Sequence, residues 1–136
     1  MKEEVKAFKN ELRNYRYYLK QKEILTDKKD LYFHSLTGMV GKGFDSQGGS
    51  TNESVKEEKR LETIDRINEL EEKINKLDTK IDAIESVLNK VTKRVRKIMV
   101  GVYADGRTYL SYSTNENYSP RTLQQQVDKA IERALK

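Results

Sequence analysis

Apolar residues return at alternating steps of three and four positions in two segments of the chain. In the longer segment this spacing continues from Ile67 to Val95 without interruption. Such a repeat places the apolar side chains along one narrow stripe of an α-helix, which is the seam of a coiled coil. The residues from Ser54 to Glu57 have the S-x-x-E form of a capping box and predict where this helix begins. The predicted seam consists of Ile67, Leu70, Ile74, Leu77, Ile81, Ile84, Leu88, Val91 and Val95.

The shorter segment predicts a first helix from about Lys2 to Leu25, with an apolar stripe of its own. Because this helix is about half as long as the second, an antiparallel hairpin of the two would leave part of the longer seam uncovered. Each uncovered Ile or Leu would forfeit about 1.5 to 3 kcal/mol of burial free energy. We therefore predict a homo-oligomer, most simply a dimer. The stripe of the first helix contains Val5, Phe8, Leu12, Tyr15 and Leu19, and the predicted oligomer contacts are Ile67, Leu70, Ile74, Leu77, Ile81, Ile84 and Leu88.

The segment between the two helices has a different composition. Five of the seven glycines fall between His34 and Asn52, among Ser, Thr, Asp and Gln. This composition predicts a flexible connection over residues 34–53. Residues 1–91 are thus expected to form a helical hairpin or coiled-coil oligomerisation region.

Residues 92–136 end in a helix whose start is clearly marked. Ser119 is a good N-cap, and Pro120 fits the first helical position, where its missing N–H costs nothing. The following apolar residues recur at helical spacing and form one face. They are Leu123, Val127, Ala130, Ile131 and Ala134, and they leave Arg121, Gln124, Gln125 and Lys129 facing outward.

The segment before this helix supports two alternatives. A turn at Asp105-Gly106, a short helix and a second turn would complete a helix-turn-helix. The β-branched and aromatic residues that flank the same Asp-Gly pair, from Val100 to Tyr112, are by contrast the strongest short-range signal of a β-hairpin. The expected fold is all-α with a C-terminal helix-turn-helix; the alternative is a C-terminal β-hairpin plus helix.

The charge of the chain is concentrated in its final third. Residues 92–136 carry nine Lys and Arg against four Asp and Glu, whereas residues 53–91 carry eight against eleven. A basic module of this kind is typical of a protein that binds a polyanion. Arg can contact guanine and Gln adenine, while Ser, Thr and Lys suit phosphates. The basic cluster Lys93, Arg94, Arg96 and Lys97 is expected to hold the phosphate backbone of double-stranded DNA, with affinity but no sequence preference.

Composition argues against several other classes of protein. The chain has no Cys and a single imidazole, that of His34, so neither a disulfide framework nor a thiolate metal site is expected. The carboxylates lie mostly on a solvated helix, and we expect no enzymatic activity and no cofactor. The N-terminus lacks an apolar run and no segment approaches the length of a membrane span, so a cytoplasmic protein without membrane contacts is expected.

The order of these features resembles the ArpU/RinA-type regulators of phage late genes in Gram-positive hosts. The C-terminal module of that family resembles region four of bacterial sigma factors. The resemblance rests on Asn14 to Leu19, on Asp105 to Tyr109, which includes Arg107, and on Tyr118 to Gln124. It departs from the family at Ser113 and Glu116, where apolar residues are usual. The resemblance implies that the residues placed toward the DNA groove are Ser119, Arg121, Thr122, Gln124 and Gln125.

Three hypotheses follow for the function. The first is a phage-type, sequence-specific transcription regulator that binds DNA through residues 92–136, with Arg107 and Lys129 among its contacts, and dimerises through the coiled coil. Host RNA polymerase or another host protein is a candidate partner. The second is a protein-binding phage factor, an inhibitor or adaptor of a host protein. The third is a small DNA-packaging recognition subunit.

Overall fold

The structure, a computed structural model, describes residues 2–42 and 53–136, and every regular element in these ranges is helical. The prediction of an all-α fold is therefore confirmed. The elements are α1 (Glu3–Arg13), α2 (Tyr15–Lys42), α3 (Glu53–Lys90), α4 (Lys93–Met99), a π-helical segment (Val100–Ala104), α5 (Tyr109–Glu116) and α6 (Pro120–Ala134).

The predicted first helix is wrong in two respects. It is interrupted at Asn14, which leaves the helical conformation (φ −93°, ψ 2°). The side-chain amide of Asn14 donates to the carbonyl oxygen of Asn10 at 3.2 Å, the local hydrogen bonding by which Asn competes with a continuing helix.

The second error concerns the far end, because α2 continues to Lys42 instead of stopping near Leu25. Residues 34–42 of the predicted flexible connection are thus helical, and residues 43–52 lie outside the described residues. The spacing of three and four continues through the half-buried Tyr32 and Leu36. That periodicity favours a helix, and a glycine costs a helix only about 1 kcal/mol.

The predicted second helix is correct in its main part and wrong at its ends. It begins at Glu53, one residue before the predicted cap Ser54, and it ends at Lys90. Thr92 then caps a new helix, α4, because its hydroxyl accepts a hydrogen bond from the backbone N–H of Val95 at 3.3 Å. The continuous seam is interrupted there, although Val91 and Val95 are both buried.

The contacts divide the chain into two compact units that differ from the predicted division at residue 91. Unit 1 consists of Met1–Leu19 and Thr79–Lys136, and unit 2 of Lys20–Asp78. The predicted regions followed the order of the chain, whereas the contacts join the N-terminal helix to the C-terminal helices.

In unit 2, α2 and α3 run antiparallel. Lys22 pairs with Asp78 at 2.6 Å, and Lys29 pairs with Glu71 at 3.2 Å. A step of seven residues forward on α2 thus corresponds to a step of seven residues backward on α3. Apolar residues of α3, including Ile67, are buried in this unit.

Unit 1 has a core to which α1, α3, α4 and α6 all contribute. Helix α1 contacts both α6 and the π-helical segment, and α4 contacts α6. The largest fully buried side chains of the described residues lie in this core. They are Leu12, Ile84, Ile98, Met99, Leu123, Val127 and Ile131.

The oligomer is predicted because the first helix is expected to be too short to cover the seam of the second, and the structure corrects this premise. Helices α1 and α2 together span residues 3–42, so the N-terminal segment is not short relative to α3. Within the single chain, Ile74 and Leu77 of the predicted oligomer contacts are half-buried. The other five are at most 8% exposed: Ile67, Leu70, Ile81, Ile84 and Leu88. The dimer itself stays a prediction.

Among the described helices, none combines the length and the apolar character that crossing a membrane requires.

Candidate nucleic-acid interface

Helices α5 and α6 are joined by only three residues, 117–119. The turn is possible because Asn117 adopts the left-handed conformation (φ 59°, ψ 27°), which Asn tolerates better than most residues. Ser119 then caps α6, and its hydroxyl oxygen accepts a hydrogen bond from the backbone N–H of Thr122 at 3.1 Å. The predicted cap at Ser119 and the predicted start at Pro120 are confirmed.

The β-hairpin alternative for residues 100–112 is wrong. Val100–Ala104 is π-helical, and most of the second predicted strand belongs to α5. Helix α5 begins after Thr108, whose hydroxyl oxygen accepts a hydrogen bond from the backbone N–H of Ser111 at 3.2 Å. The π-helical segment follows α4 without a break and packs against α1, and this packing outweighs the local preference of its β-branched and aromatic residues for a strand.

Gly101 in the π-helical segment sets the position of α5. A Cβ atom at this residue would lie 1.8 Å from the hydroxyl oxygen of Tyr112, so only glycine leaves room for that side chain. The backbone carbonyl of Gly101 also accepts a hydrogen bond from the N–H of Arg107 at 2.9 Å. Two contacts with Gly101 thus hold this region in place: one at Arg107, just before α5, and one at Tyr112, within α5.

Helix α6 places its predicted outward residues in solvent. Leu123, Val127 and Ile131 are at most 1% exposed and form its inner face. The residues predicted to face outward are all exposed: Arg121, Gln124, Gln125 and Lys129. Thr122 is half-buried and shares a hydrogen bond with Ser119, hydroxyl to hydroxyl, at 2.8 Å.

The acidic residues of α6 are paired with two lysines of the N-terminal segment, one in α1 and one just before it. Lys9 of α1 is only 4% exposed, and its Nζ lies 2.5 Å from Oδ1 of Asp128. Lys2 pairs with Glu132 at 2.5 Å. This hydrogen bond raises the pKa of the Lys2 ammonium and lowers the pKa of the Glu132 carboxyl. The N-terminal segment that contains Lys2 and α1 therefore offsets the two negative charges of α6.

A pair of tyrosines lies beside this contact. The hydroxyls of Tyr103 and Tyr109 are 2.7 Å apart, and Lys9 lies 5.2 Å from the centre of the Tyr103 ring. Burial, followed by the hydrogen bond with Tyr103, raises the pKa of Tyr109 far above its ordinary value. Sequence reasoning missed this cluster. Its one signal was the position of Lys9 next to Phe8, on the apolar side of α1.

The four clustered basic residues of α4 differ in their surroundings. Arg96 is half-buried, and its Nε donates to the carbonyl oxygen of Leu88 at 2.9 Å, near the end of α3. This contact satisfies one of the carbonyls that a helix end leaves without a partner. Lys93 and Lys97 are exposed, as is Arg107, and none of the three forms a salt bridge with a residue that the structure describes.

Arg94 connects α4 to the two helices that follow. Its Nε donates to Glu116 at 2.6 Å, its Nη2 donates to Gln126 at 3.0 Å, and its guanidinium lies 5.4 Å from the centre of the Tyr118 ring. Glu116, which departs from the resembled family, is thus the ionic partner of Arg94. The sequence placed Arg94 on phosphate and did not identify this pairing.

No side-chain arrangement in the described residues points to a metal. These residues contain no group of three or more His, Asp or Glu that could hold a metal ion.

A search of protein-family models, of curated proteins and of solved structures finds no significant match to this chain.

Proposed function

We propose that this protein is a phage-type, sequence-specific DNA-binding transcription regulator of late genes that reads DNA with α6. The observation that carries the proposal is the exposed polar and basic face of α6, which follows α5 after a turn of three residues. A short helix, a tight turn and an outward-facing second helix are the arrangement of a helix-turn-helix that reads the major groove.

The side chains on this face suit direct reading of bases. Arg121 lies in the first turn of α6, the part of a recognition helix that reaches base edges, and its guanidinium can donate two hydrogen bonds to guanine. Gln124 and Gln125 lie one turn further along and carry the amide that pairs with adenine. Ser119 and Thr122 fix the start of the helix by their own hydrogen bonds, and their roles in binding are secondary in this proposal.

Electrostatics supports the same assignment. The pairing of Asp128 with Lys9 and of Glu132 with Lys2 removes the main repulsion that α6 would exert on phosphates. The exposed Lys93, Lys97 and Arg107 supply positive charge on neighbouring elements. Such residues would contribute affinity that falls with salt. The protein would act in the cytoplasm of the bacterial host, where RNA polymerase is a candidate partner.

Selection from genomic DNA tests the proposal. The purified chain is mixed with fragments of the genome that encodes it, at a low and a higher salt concentration. We expect one fragment or a few to be retained at the higher salt, since base contacts persist where phosphate contacts weaken. Retention of all fragments at low salt and of none at higher salt would overturn the proposal. A retained fragment close to a packaging start instead of a promoter would favour the DNA-packaging subunit.

A protein-binding phage factor is the second candidate, and one observation in unit 2 favours it. Ile24 and Leu31 lie seven residues apart on α2 and are 38% and 69% exposed. Two large apolar side chains on one face of a helix suit a partner protein or a second copy of the chain. The alternative is tested with Leu31→Glu. Loss of a partner protein, without loss of thermal stability, would support it, whereas loss of a dimer alone would not distinguish it from the regulator.

A further inference from the structure

A cleft of about 480 Å³ lies within unit 1, between the end of α3 and α4 on one side and α6 on the other. Four basic side chains line it, and no acidic residue is among those that do. They are Lys90, Arg94, Lys129 and Arg133. The floor is formed by small and branched apolar residues, such as Val91 and Ala130. The sequence did not identify Lys90 or Arg133 as binding residues.

Two of these cations are held in place by the protein itself. Lys90 Nζ donates to the carbonyl oxygen of Ala134 at 3.3 Å, and Arg94 is bound by Glu116 and Gln126. Holding long basic side chains at a cleft before a ligand arrives reduces the entropy lost on binding.

The other two cations, Lys129 and Arg133, are four residues apart on α6. Like charges at this spacing repel each other and destabilise a helix. Glu116 offsets the charge of Arg94, and the three other cations that line the cleft still make it suited to a ligand with several negative charges.

The cleft is continuous with the proposed DNA-reading face. Arg121, Gln125 and Lys129 follow one another at four-residue steps, and Lys129 also lines the cleft. With α6 in the major groove, a phosphate backbone that borders this groove would pass along the side of the helix that carries Lys129.

We infer that this cleft binds successive backbone phosphates of one DNA strand, with Lys90 and Arg133 as contacts in addition to Arg94 and Lys129. The inference rests on the proposed function, because it takes α6 as the element that enters the groove. Phosphate contacts of this kind position the protein on DNA and carry no sequence information.

The test is the salt dependence of binding to a short duplex of arbitrary sequence. The variant is the full chain with Lys90→Gln and Arg133→Gln. Its matched control is Lys6→Gln with Arg66→Gln, which removes the same charge at two exposed positions outside the cleft. We expect the slope of log affinity against log salt to fall by about 0.9 for each lost phosphate contact, hence by about 1.8 for the cleft variant. The control should keep the slope of the wild type.

Further variants separate folding from binding. Lys90→Arg with Arg133→Lys keeps the charges and should keep the slope, and thermal melting checks that each variant is folded. If the wild type binds no duplex, both the proposed function and the cleft inference are overturned. If the wild type binds and the cleft variant keeps its slope, only the cleft inference is overturned. A second outcome would also overturn only the cleft inference. In it, inorganic triphosphate raises the melting temperature of the wild type but not of the cleft variant, and the two proteins bind the duplex equally. The cleft would then serve a free phosphorylated ligand.

Discussion

The hydroxyl of Tyr112 fills the space that a side chain at residue 101 would need. Three single residues of the structure can each be tested by substitution. Gly101 tests packing, Tyr109 tests proton binding, and Arg121 tests the proposed contact with DNA bases.

Gly101→Ala is expected to lower the free energy of unfolding by about 1 to 3 kcal/mol, as overpacking does elsewhere. The half-buried Tyr112 has to move away from the new methyl group, and α5 loses its position. Urea unfolding of the variant measures the change. The double variant Gly101→Ala with Tyr112→Phe should recover part of the loss, because it lacks the atom nearest to the new methyl group. A stability equal to that of the wild type would contradict the close contact.

Tyr109 is expected to make the fold sensitive to alkaline pH. Its pKa is raised by burial and by the hydrogen bond with Tyr103, so the folded state holds this proton more tightly than the unfolded state does. The resulting stability is present below the ordinary tyrosine pKa of about 10 and is lost as pH rises above it. Unfolding is measured at a series of pH values above about 10. The free energy of unfolding should fall more steeply with pH for the wild type than for Tyr109→Phe. Equal slopes would contradict the assignment.

Arg121→Ala tests base reading at a single residue. We expect a loss of about 1 to 3 kcal/mol on the selected site and a much smaller loss on random DNA, since a base contact is specific. Lys93→Ala is the comparison and should weaken both DNAs about equally. If Arg121→Ala also weakens both equally, Arg121 is a phosphate contact and not a reader of bases.

At the scale of elements, the attachment of α1 to the C-terminal helices is the feature that local sequence signals did not reveal. Val5, Phe8 and Leu12 pack into unit 1, and Lys9 is buried against Asp128. Helix α1 therefore belongs to the same compact unit as the proposed DNA-reading helix.

Lys9→Met measures the strength of this attachment. The variant keeps an unbranched side chain of similar length but leaves Asp128, which is only 26% exposed, without its cation. We expect a loss of about 1 to 3 kcal/mol of unfolding free energy. Lys6→Met, an exposed position of the same helix, is the control and should change little. Adding Asp128→Asn to Lys9→Met should restore stability if the loss arises from the isolated carboxylate.

At the scale of the whole molecule, the burial of the predicted seam changes how the oligomer can be tested. Ile81 is 4% exposed within the single chain. Truncating such a core Ile to Ala costs about 2 to 5 kcal/mol of unfolding free energy, and Ile81→Asp should cost no less because it also buries a charge. Melting followed by circular dichroism measures this effect, and sedimentation measures the oligomer separately. A folded Ile81→Asp protein that merely dissociates would show that this residue lies between subunits.

The sequence by itself determined the elements whose signals are local. Helix α6 follows from its cap at Ser119, from Pro120 and from its apolar spacing, and the left-handed turn follows from Asn117. The central part of α3 follows from its repeat. These features depend on interactions between residues a few positions apart, so they can be predicted from the sequence alone.

Only the tertiary structure decided which elements pack together and which of two local preferences prevailed. The segment from Val100 to Tyr112 reads as a hairpin, yet Val100–Ala104 continues directly from α4 as a π-helix that contacts α1, and Tyr109 to Tyr112 lie in α5. The pairing of Arg94 with Glu116, and the basic cleft that contains Lys90 and Arg133, join residues 22 to 43 positions apart. Contacts over such separations depend on the direction in which each helix leaves its turn, and residue spacing does not encode that direction.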